Sequence, residues 1–207
     1  MRITVFGASG KIGSLVIDEA LNRGHEVVAF THKASNEPNR PGLTIKQGDV
    51  HDKQAVDEAM TSAQAVISAL GSWGSPTKDI LTAGIQNIIE IAKSTQQQYI
   101  ISLTGSDARA KGDHISFINK LSRSLFMLIA KDVLTDGEQH IRLLEDSQLR
   151  WTVVRSPRMN KQGKLYRLSR KRPLPWASVS RKSVANCLVD LLEETNYYAQ
   201  APFITRS

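Results

Sequence analysis

The chain has a single cysteine, Cys187, among its 207 residues. That excludes an internal disulfide and any metal site built on several thiolates. Long apolar runs are also missing. The longest, Leu125 to Ala130, falls far short of the ~20 residues that a membrane helix needs. The opening MRITVF runs straight into a glycine turn, without the apolar core of a signal peptide. A cytoplasmic protein with no membrane partner is therefore expected. Aromatic residues are few, at 6%, and they are not interleaved with cations as base stacking would require. Acid is absent from one long stretch: Ser147 to Val189 holds eleven Lys or Arg and no Asp or Glu. The rest of the chain then carries 16 − 20 = −4, against +7 overall. The cations are densest at Arg167, Arg170, Lys171 and Arg172. Such a stretch is either a solvated basic face or a site for an anion such as a cofactor phosphate, a carboxylate or nucleic acid. Nucleic acid is disfavoured, because no DNA-reading motif accompanies the charge.

What remains is an ordinary globular balance, 41% apolar and 23% charged. Strand and helix signals alternate. β-type runs stand at 3–6, 27–31, 43–47, 65–70, 99–103, 151–155 and 202–205. Helical periodicity covers 11–23, 52–63, 77–94, 115–134, 136–146 and a last helix capped by Ser180. Residues 36–42 and 158–175 read as loops. VISAL and YIISL are apolar at nearly every position, as a sheet covered on both sides requires. The expected fold is α/β: a doubly wound parallel sheet in three layers, Rossmann-like, with right-handed crossovers. One domain spans 1–207, and its C-terminal part, 156–207, contributes a small lobe on the substrate side. Phe117, Leu121, Leu125, Phe126 and Ile129 sit at helical spacing and are expected in the core, or at an interface if exposed.

Ligands of such sheets bind outside the carboxyl ends of the strands. The first strand ends in Gly7-Ala8-Ser9-Gly10-Lys11-Ile12-Gly13. Ala8 stands where the first glycine of a strict G-x-G-x-x-G would be, so the frame is G-x-x-G-x-x-G. Gly7 and Gly10 let backbone approach a pyrophosphate without a Cβ in the way. The helix that follows turns its free N–H groups toward the anion. Gly13 lets that helix lie close to the strand. An acid about 20 residues on would bond the adenosine ribose and select NAD. Position 33 is instead Lys33, flanked by Thr31 and His32, and no acid appears before Glu37. A cation in that place suits a 2′-phosphate, so NADP(H) is expected over NAD(H). The third strand ends in Gly48-Asp49-Val50, where the carboxylate can accept from the adenine amino group. The fourth ends in Leu70-Gly71-Ser72, where glycine allows approach to the adenine ribose.

The set GASGKIG, GDV, ALG and WTVVRSPRM resembles the atypical short-chain dehydrogenases in their NAD(P)H-binding, NmrA-like branch, near the biliverdin-reductase-B and flavin-reductase group. The segment from Lys131 to Arg155 is similar to that branch's helix-then-strand. There the strand usually continues as Arg-Pro; here it reads Arg155-Ser156-Pro157. The resemblance spans about the whole chain. It implies NAD(P) on the residues just named, with Leu103-Thr104-Gly105 and Ser156-Pro157 beside the nicotinamide. Members include flavin, biliverdin and quinone reductases, and regulators that bind the dinucleotide without turning it over.

One further absence narrows the chemistry. Standard members reduce carbonyls with a Tyr-x-x-x-Lys pair. Four residues beyond Tyr99, Tyr166, Tyr197 and Tyr198 stand Leu103, Arg170, Ala201 and Pro202, none of them lysine. Hydride transfer to a flavin, quinone or tetrapyrrole-like acceptor asks less of a protein acid. The expected activity is an NADP(H)-dependent oxidoreductase for such a flat acceptor; the alternative is a dinucleotide-sensing regulator. Ser106, after the fifth strand, is a candidate polar group over the substrate, or else a turn or cap serine. His114 is a candidate proton donor, or a solvated histidine. Arg109 lies in the same loop as both and is a candidate for contacting substrate. Trp73 follows the fourth strand and either stacks on a flat substrate or packs on a helix. Arg155 ends a strand and either pairs with Asp49 or a neighbouring acid or contacts a ligand. The expected partner is a small-molecule substrate, and the chain a monomer or homodimer with no metal.

Overall fold

RITVF is buried almost throughout, as a strand covered on both faces must be. A computed structural model of the chain describes residues 1–32, 40–73, 75, 77–95, 99–114, 116–163 and 165–207. In chain order its elements are β1 (Arg2–Phe6), α1 (Gly13–Asn22), β2 (Glu26–Thr31), β3 (Leu43–Gln47), α2 (Lys53–Met60), β4 (Ala65–Ser68), α3 (Ile80–Thr95), β5 (Tyr99–Gly105), α4 (Phe117–Glu145), β6 (Arg150–Ser156), β7 (Arg158–Asn160), β8 (Tyr166–Ser169), β9 (Ser178–Ser180), α5 (Arg181–Asp190) and β10 (Phe203–Arg206). Local chemistry sets several starts. Asp52 accepts from the N–H of Gln54 and Ala55 to open α2, and Ser180 accepts from that of Ser183 to open α5.

The main sheet has the order β3-β2-β1-β4-β5-β6-β10-β8. The strands from β3 to β10 in that order pair in parallel, and β8 closes the edge antiparallel to β10. The chain leaves β1 toward β2 on one side and returns to β4 on the other. That reversal creates a crevice at the carboxyl ends of β1 and β4. Val16, Ala20, Val184 and Leu188 of α1 and α5 pack with Ile3, Val5 and Ile101 in one core. Val56, Ile85, Ile88 and Ile141 of α2, α3 and α4 pack with Phe6, Val66 and Ile100 in the other. The fold is the expected three-layer, Rossmann-like α/β sheet.

Three readings of the sequence change. Residues 158–175 are not all loop. Tyr166 to Ser169 pair with Phe203 to Arg206, and Arg158 to Asn160 pair with β9. This pairing is long-range, and the cations hide the short alternation Tyr166-Arg167-Leu168-Ser169. The two helices at 115–146 are one element, α4, broken at Ala130 by a non-helical φ of −142° and ψ of 45°. Beyond the break Leu134, Ile141 and Leu144 are buried. Before it Leu121, Leu125 and Ile129 are exposed and do not join the core. That half of α4 crosses the loops after β4 and β5, where no sheet face lies beneath it. Phe126 packs there on Trp73, and Arg123 donates to the carbonyl of Asp107.

Candidate functional site

The β1–α1 loop is built on backbone contacts that exclude side chains. Gly7 has φ +74°, and a Cβ on it would lie 2.7 Å from the carbonyl oxygen of Ala69. A Cβ on Gly13 would lie 2.1 Å from the Gly7 carbonyl oxygen, so α1 can start this close to β1 only with glycine there. Ala8 and Ile12 are buried and anchor the loop, while Ser9, Gly10 and Lys11 are exposed. The Ala8 N–H donates to the carbonyl of Phe30 and the Gly10 N–H to that of Gly7. Among the described residues, the N–H groups of Ser9, Lys11 and Ile12 have no bonded acceptor. Ile12 precedes α1 without a side-chain cap, and the first turn carries no acid. A ring of open N–H donors at a helix start is a cradle for an anion. The residues present therefore fit a dinucleotide diphosphate.

The other strand ends surround this loop. Thr31 is buried at the end of β2 and its carbonyl accepts from Gly48; His32 beside it is exposed. Lys33 lies outside the described residues. Asp49 keeps its carboxylate partly exposed. The backbone N–H of His51, then the His51 imidazole at 2.7 Å, hold the Asp49 carboxyl below the usual range. Asp49 in turn, with Asp79 at 3.5 Å as a weaker partner, pushes the His51 imidazole up. Val50 and Leu70 converge on α3 at Gly84, where a Cβ would meet Leu70 at 2.6 Å. Gly71 and Gly105 face open space, with nothing within 4 Å of an added Cβ. Ser106 donates its N–H to the carbonyl of Ser156, and Gly105 stands in register with Ser156, so the ends of β5 and β6 form one rim. Thr104 lies under α4, its hydroxyl 2.7 Å from where a Cβ on Gly137 would be. Ser156 and Pro157 are buried behind the rim.

The candidate substrate residues stand further out. Trp73 is 69% exposed and stacks on Phe126 with ring centroids 6.2 Å apart. Both sequence readings of Trp73 are thus compatible: one face packs, and much of the ring is open. Arg109 and His114 are exposed, in the loop that also carries Ser106. Arg155 does not meet Asp49. It is buried, donates to Asp113 Oδ1 at 2.8 Å and to the carbonyls of Ala108 and Ala201, and lies 3.7 Å over the Phe203 ring. Asp49 lies at the far end of the crevice, after β3, whereas Arg155 belongs to β6; the nearer loop acid takes the pair. Arg172 is bonded to Asp107 in the same way. Part of the basic stretch therefore braces the loop after β5.

Sequence reasoning missed the residue that fastens this rim. Asp136 is buried on α4. It accepts from the Ser72 hydroxyl and from the N–H groups of Leu81 at 3.1 Å and Thr82 at 2.8 Å. It thereby ties the loop after β4 and the start of α3 to α4. Nothing local marks it, since Asp on a helix usually faces solvent. Among the described residues no group of acids, histidines or cysteine could hold a metal ion.

Among the described residues no tyrosine hydroxyl is bonded to a strand-end loop. Tyr99 opens β5 at its amino end and is bonded to Thr152; burial pushes its phenol up. Tyr198 packs edge-on against Tyr99, and the carbonyl of Tyr197 accepts from Thr152. Tyr166 is bonded to Asp190 at the end of α5, with its phenol pushed up by burial and by that carboxylate.

Comparison with known proteins agrees with this geometry. The NAD(P)H-binding family matches residues 7–195. The uncharacterized protein YwnB of Bacillus subtilis is 31% identical over 106 residues, 51% of this chain and 48% of that protein. The chain spans half or less of the length of the curated relatives it matches first. Among solved structures, the oxidoreductase ylbE of Lactococcus lactis superimposes with a TM-score of 0.83 at 14% identity, covering 100% of this chain and 91% of that one. The anaerobillin reductase ChuY of Escherichia coli O157:H7 does so at 0.81 and 18%, covering 100% and 97%. At these identities the likeness shows the fold.

Proposed function

The chain belongs to the NAD(P)H-binding family, and from that premise we propose that it is an NADP(H)-preferring reductase of a flat conjugated acceptor, such as a flavin, a quinone or a tetrapyrrole. The observation that carries the reading is the position of the tyrosines: the hydroxyls of Tyr99 and Tyr166 are bonded to Thr152 and Asp190, and Tyr197 and Tyr198 pack against the core under α1 and α5. A carbonyl reductase of the standard short-chain kind would need a tyrosine acid at the substrate. A conjugated acceptor delocalises the incoming charge and can take its proton from water. The exposed Trp73 ring offers such an acceptor a flat apolar face, and the similarly folded ChuY is by its name an anaerobillin reductase.

In this reading bound NADPH supplies the hydride. The open amides of Ser9, Lys11 and Ile12 would hold its diphosphate, and Asp49 would accept from the adenine amino group. Thr31 and His32 at the end of β2 would stand by the 2′-phosphate, and Lys33, the next residue in the sequence, would select it. Leu70 and Gly71 bracket the ribose. Thr104, Ser156 and Pro157 back the nicotinamide, and residues 156–207 complete the acceptor side. Ser106 and Arg109 would orient the acceptor, and His114, exposed in the same loop, would pass the proton. The test is a titration of the apo protein with NADPH and with NADH, followed by thermal stability, since a ligand of the native state must raise it. Tighter binding of NADPH that Lys33→Glu abolishes supports the cofactor assignment. Oxidation of NADPH on adding FMN or a quinone supports the reductase. Binding without turnover of any such acceptor gives the protein to the sensing alternative.

A further inference from the structure

Three hydrogen bonds fix the main chain around Asp49. The Gly48 N–H donates to the carbonyl of Thr31, and the Asp52 N–H to that of Asp49, each at 3.0 Å. The carbonyl of Val50 accepts from the side-chain amide of Asn87 on α3 at 2.7 Å. What remains is the freedom of the Asp49 side chain, which is 46% exposed; a surface carboxylate ordinarily samples several rotamers. His51 removes that freedom. Its backbone N–H at 3.0 Å and its Nδ1 at 2.7 Å both donate to one oxygen, Oδ1. A carboxylate only accepts, so Nδ1 carries the proton. The ring is steadied on its other edge, where Nε2 lies 3.5 Å from Oδ1 of Asp79, just before α3. The second oxygen of Asp49 is left over. Among the described residues no donor is hydrogen-bonded to Oδ2, and the exposed ring of His32 has its Nδ1 3.6 Å away.

We propose that His51 is a positioning residue that makes Asp49 a selector of the adenine base. The proposal rests on the cofactor reading above, in which Asp49 accepts from the adenine amino group. With Oδ1 engaged twice by His51, Oδ2 is the oxygen with acceptor capacity to spare. Holding the carboxylate in one rotamer has two effects. Its side-chain entropy is lost on folding rather than on binding, which strengthens the bond to the amino group. The carboxylate also cannot swing away from a base that it repels. Adenine presents an amino donor. Hypoxanthine and guanine present a carbonyl oxygen at the same ring position, and a fixed carboxylate meets that oxygen acceptor to acceptor. A free carboxylate would rotate aside and tolerate either base. The same side chains do not make a metal centre, since among the described residues no group of acids and histidines could hold an ion. His51 acts through Asp49 and takes no part in the hydride step.

The experiment compares the Kd of the full chain for NADPH and for deamino-NADPH, in which hypoxanthine replaces adenine, by fluorescence titration. Both carry the same phosphates, so the ratio isolates the base. The wild type is expected to prefer NADPH about tenfold, the scale of one hydrogen bond to a charged group. Asp49→Ala should abolish the preference. His51→Ala should reduce it to about twofold or less, by weakening NADPH and not the deamino form. His51→Asn puts an amide donor near the place of Nδ1 and should restore most of the preference. Equal weakening of both forms in His51→Ala overturns the inference, as does a preference that survives there intact or a loss that asparagine fails to restore; in each case the cofactor reading stands. A wild type that binds both forms alike removes Asp49 from the base, and the inference with it, while the diphosphate loop keeps its assignment. A wild type that binds neither form overturns the cofactor reading and the inference together.

Discussion

Replacing Gly13 by alanine tests the central geometric argument. A Cβ at this position would lie 2.1 Å from the Gly7 carbonyl oxygen, 2.8 Å from its carbon and 2.9 Å from the Ala8 Cα. All three atoms are backbone, so no side chain can swing aside. Either α1 moves off β1 by an ångström or more, or the loop that carries the free N–H groups unwinds. Overpacking of this kind costs about 1–3 kcal/mol. Alanine recovers only part of its ~1 kcal/mol helix advantage over glycine, because position 13 is in the first turn. A net loss of about 2 kcal/mol follows. For a chain of this length that is a fall of roughly 4–8 °C in Tm. The second consequence is specific to the site: a displaced loop no longer converges its amides, so NADPH should raise the Tm of Gly13→Ala far less than that of the wild type. Calorimetry or dye-monitored melting, with and without NADPH, reads both effects. An unchanged Tm together with undiminished stabilisation by NADPH would refute the close-packed loop.

Other expectations follow from particular residues. Gly71→Ala and Gly105→Ala meet nothing within 4 Å, so the apo Tm should hold while the affinity for NADPH falls; equal affinity by fluorescence titration would remove these glycines from the cofactor site. Asp113→Ala leaves the Arg155 guanidinium, 3% exposed, without its carboxylate; a loss of about 3 kcal/mol is expected in denaturant unfolding, and a loss under ~1 kcal/mol would mean that the carbonyls of Ala108 and Ala201 suffice. His140 is buried with Nε2 2.8 Å from the Ser102 hydroxyl, and burial lowers its pKa from 6.5 to about 4. Above pH 6.5 the imidazole is neutral in both states. As pH falls from 6.5 to about 4 only the unfolded chain gains the proton, so up to ~3 kcal/mol of stability is lost across that window; His140→Gln should flatten the wild-type stability profile there. Cys187 is fully buried, with its thiol pushed up by burial, so a thiol reagent should modify it only at the rate of unfolding, and a fast reaction in the native state would contradict its place between α5 and the sheet.

The parallel sheet and the cofactor loop were legible in the residues because both rest on local rules. Runs such as VISAL and YIISL are apolar on both faces whatever covers them. Gly10 and Gly13 answer to backbone demands within a few residues, their close contacts being with Gly7 and Ala8, and Gly7 takes a φ of +74° that favours glycine whatever lies beside it. Asp52 and Ser180 marked helix starts for the same reason. The rest needed partners distant in sequence. Arg155 carries no sign of whether Asp49 or Asp113 is its acid; the layout of the strand ends decides, since Asp113 lies in the loop after the neighbouring strand. Tyr166-Arg167-Leu168-Ser169 becomes a strand only because Phe203 to Arg206 lie beside it. Asp136 reads as a surface acid until α4 lays it over Ser72, Leu81 and Thr82. The stripe from Ile118 to Ile129 shows most plainly where sequence stops. Periodicity tells which side chains share a face, but the energy of that face depends on what it meets. Only the tertiary arrangement, with α4 broken at Ala130 and its first half carried past the edge of the sheet, decided that this face is open.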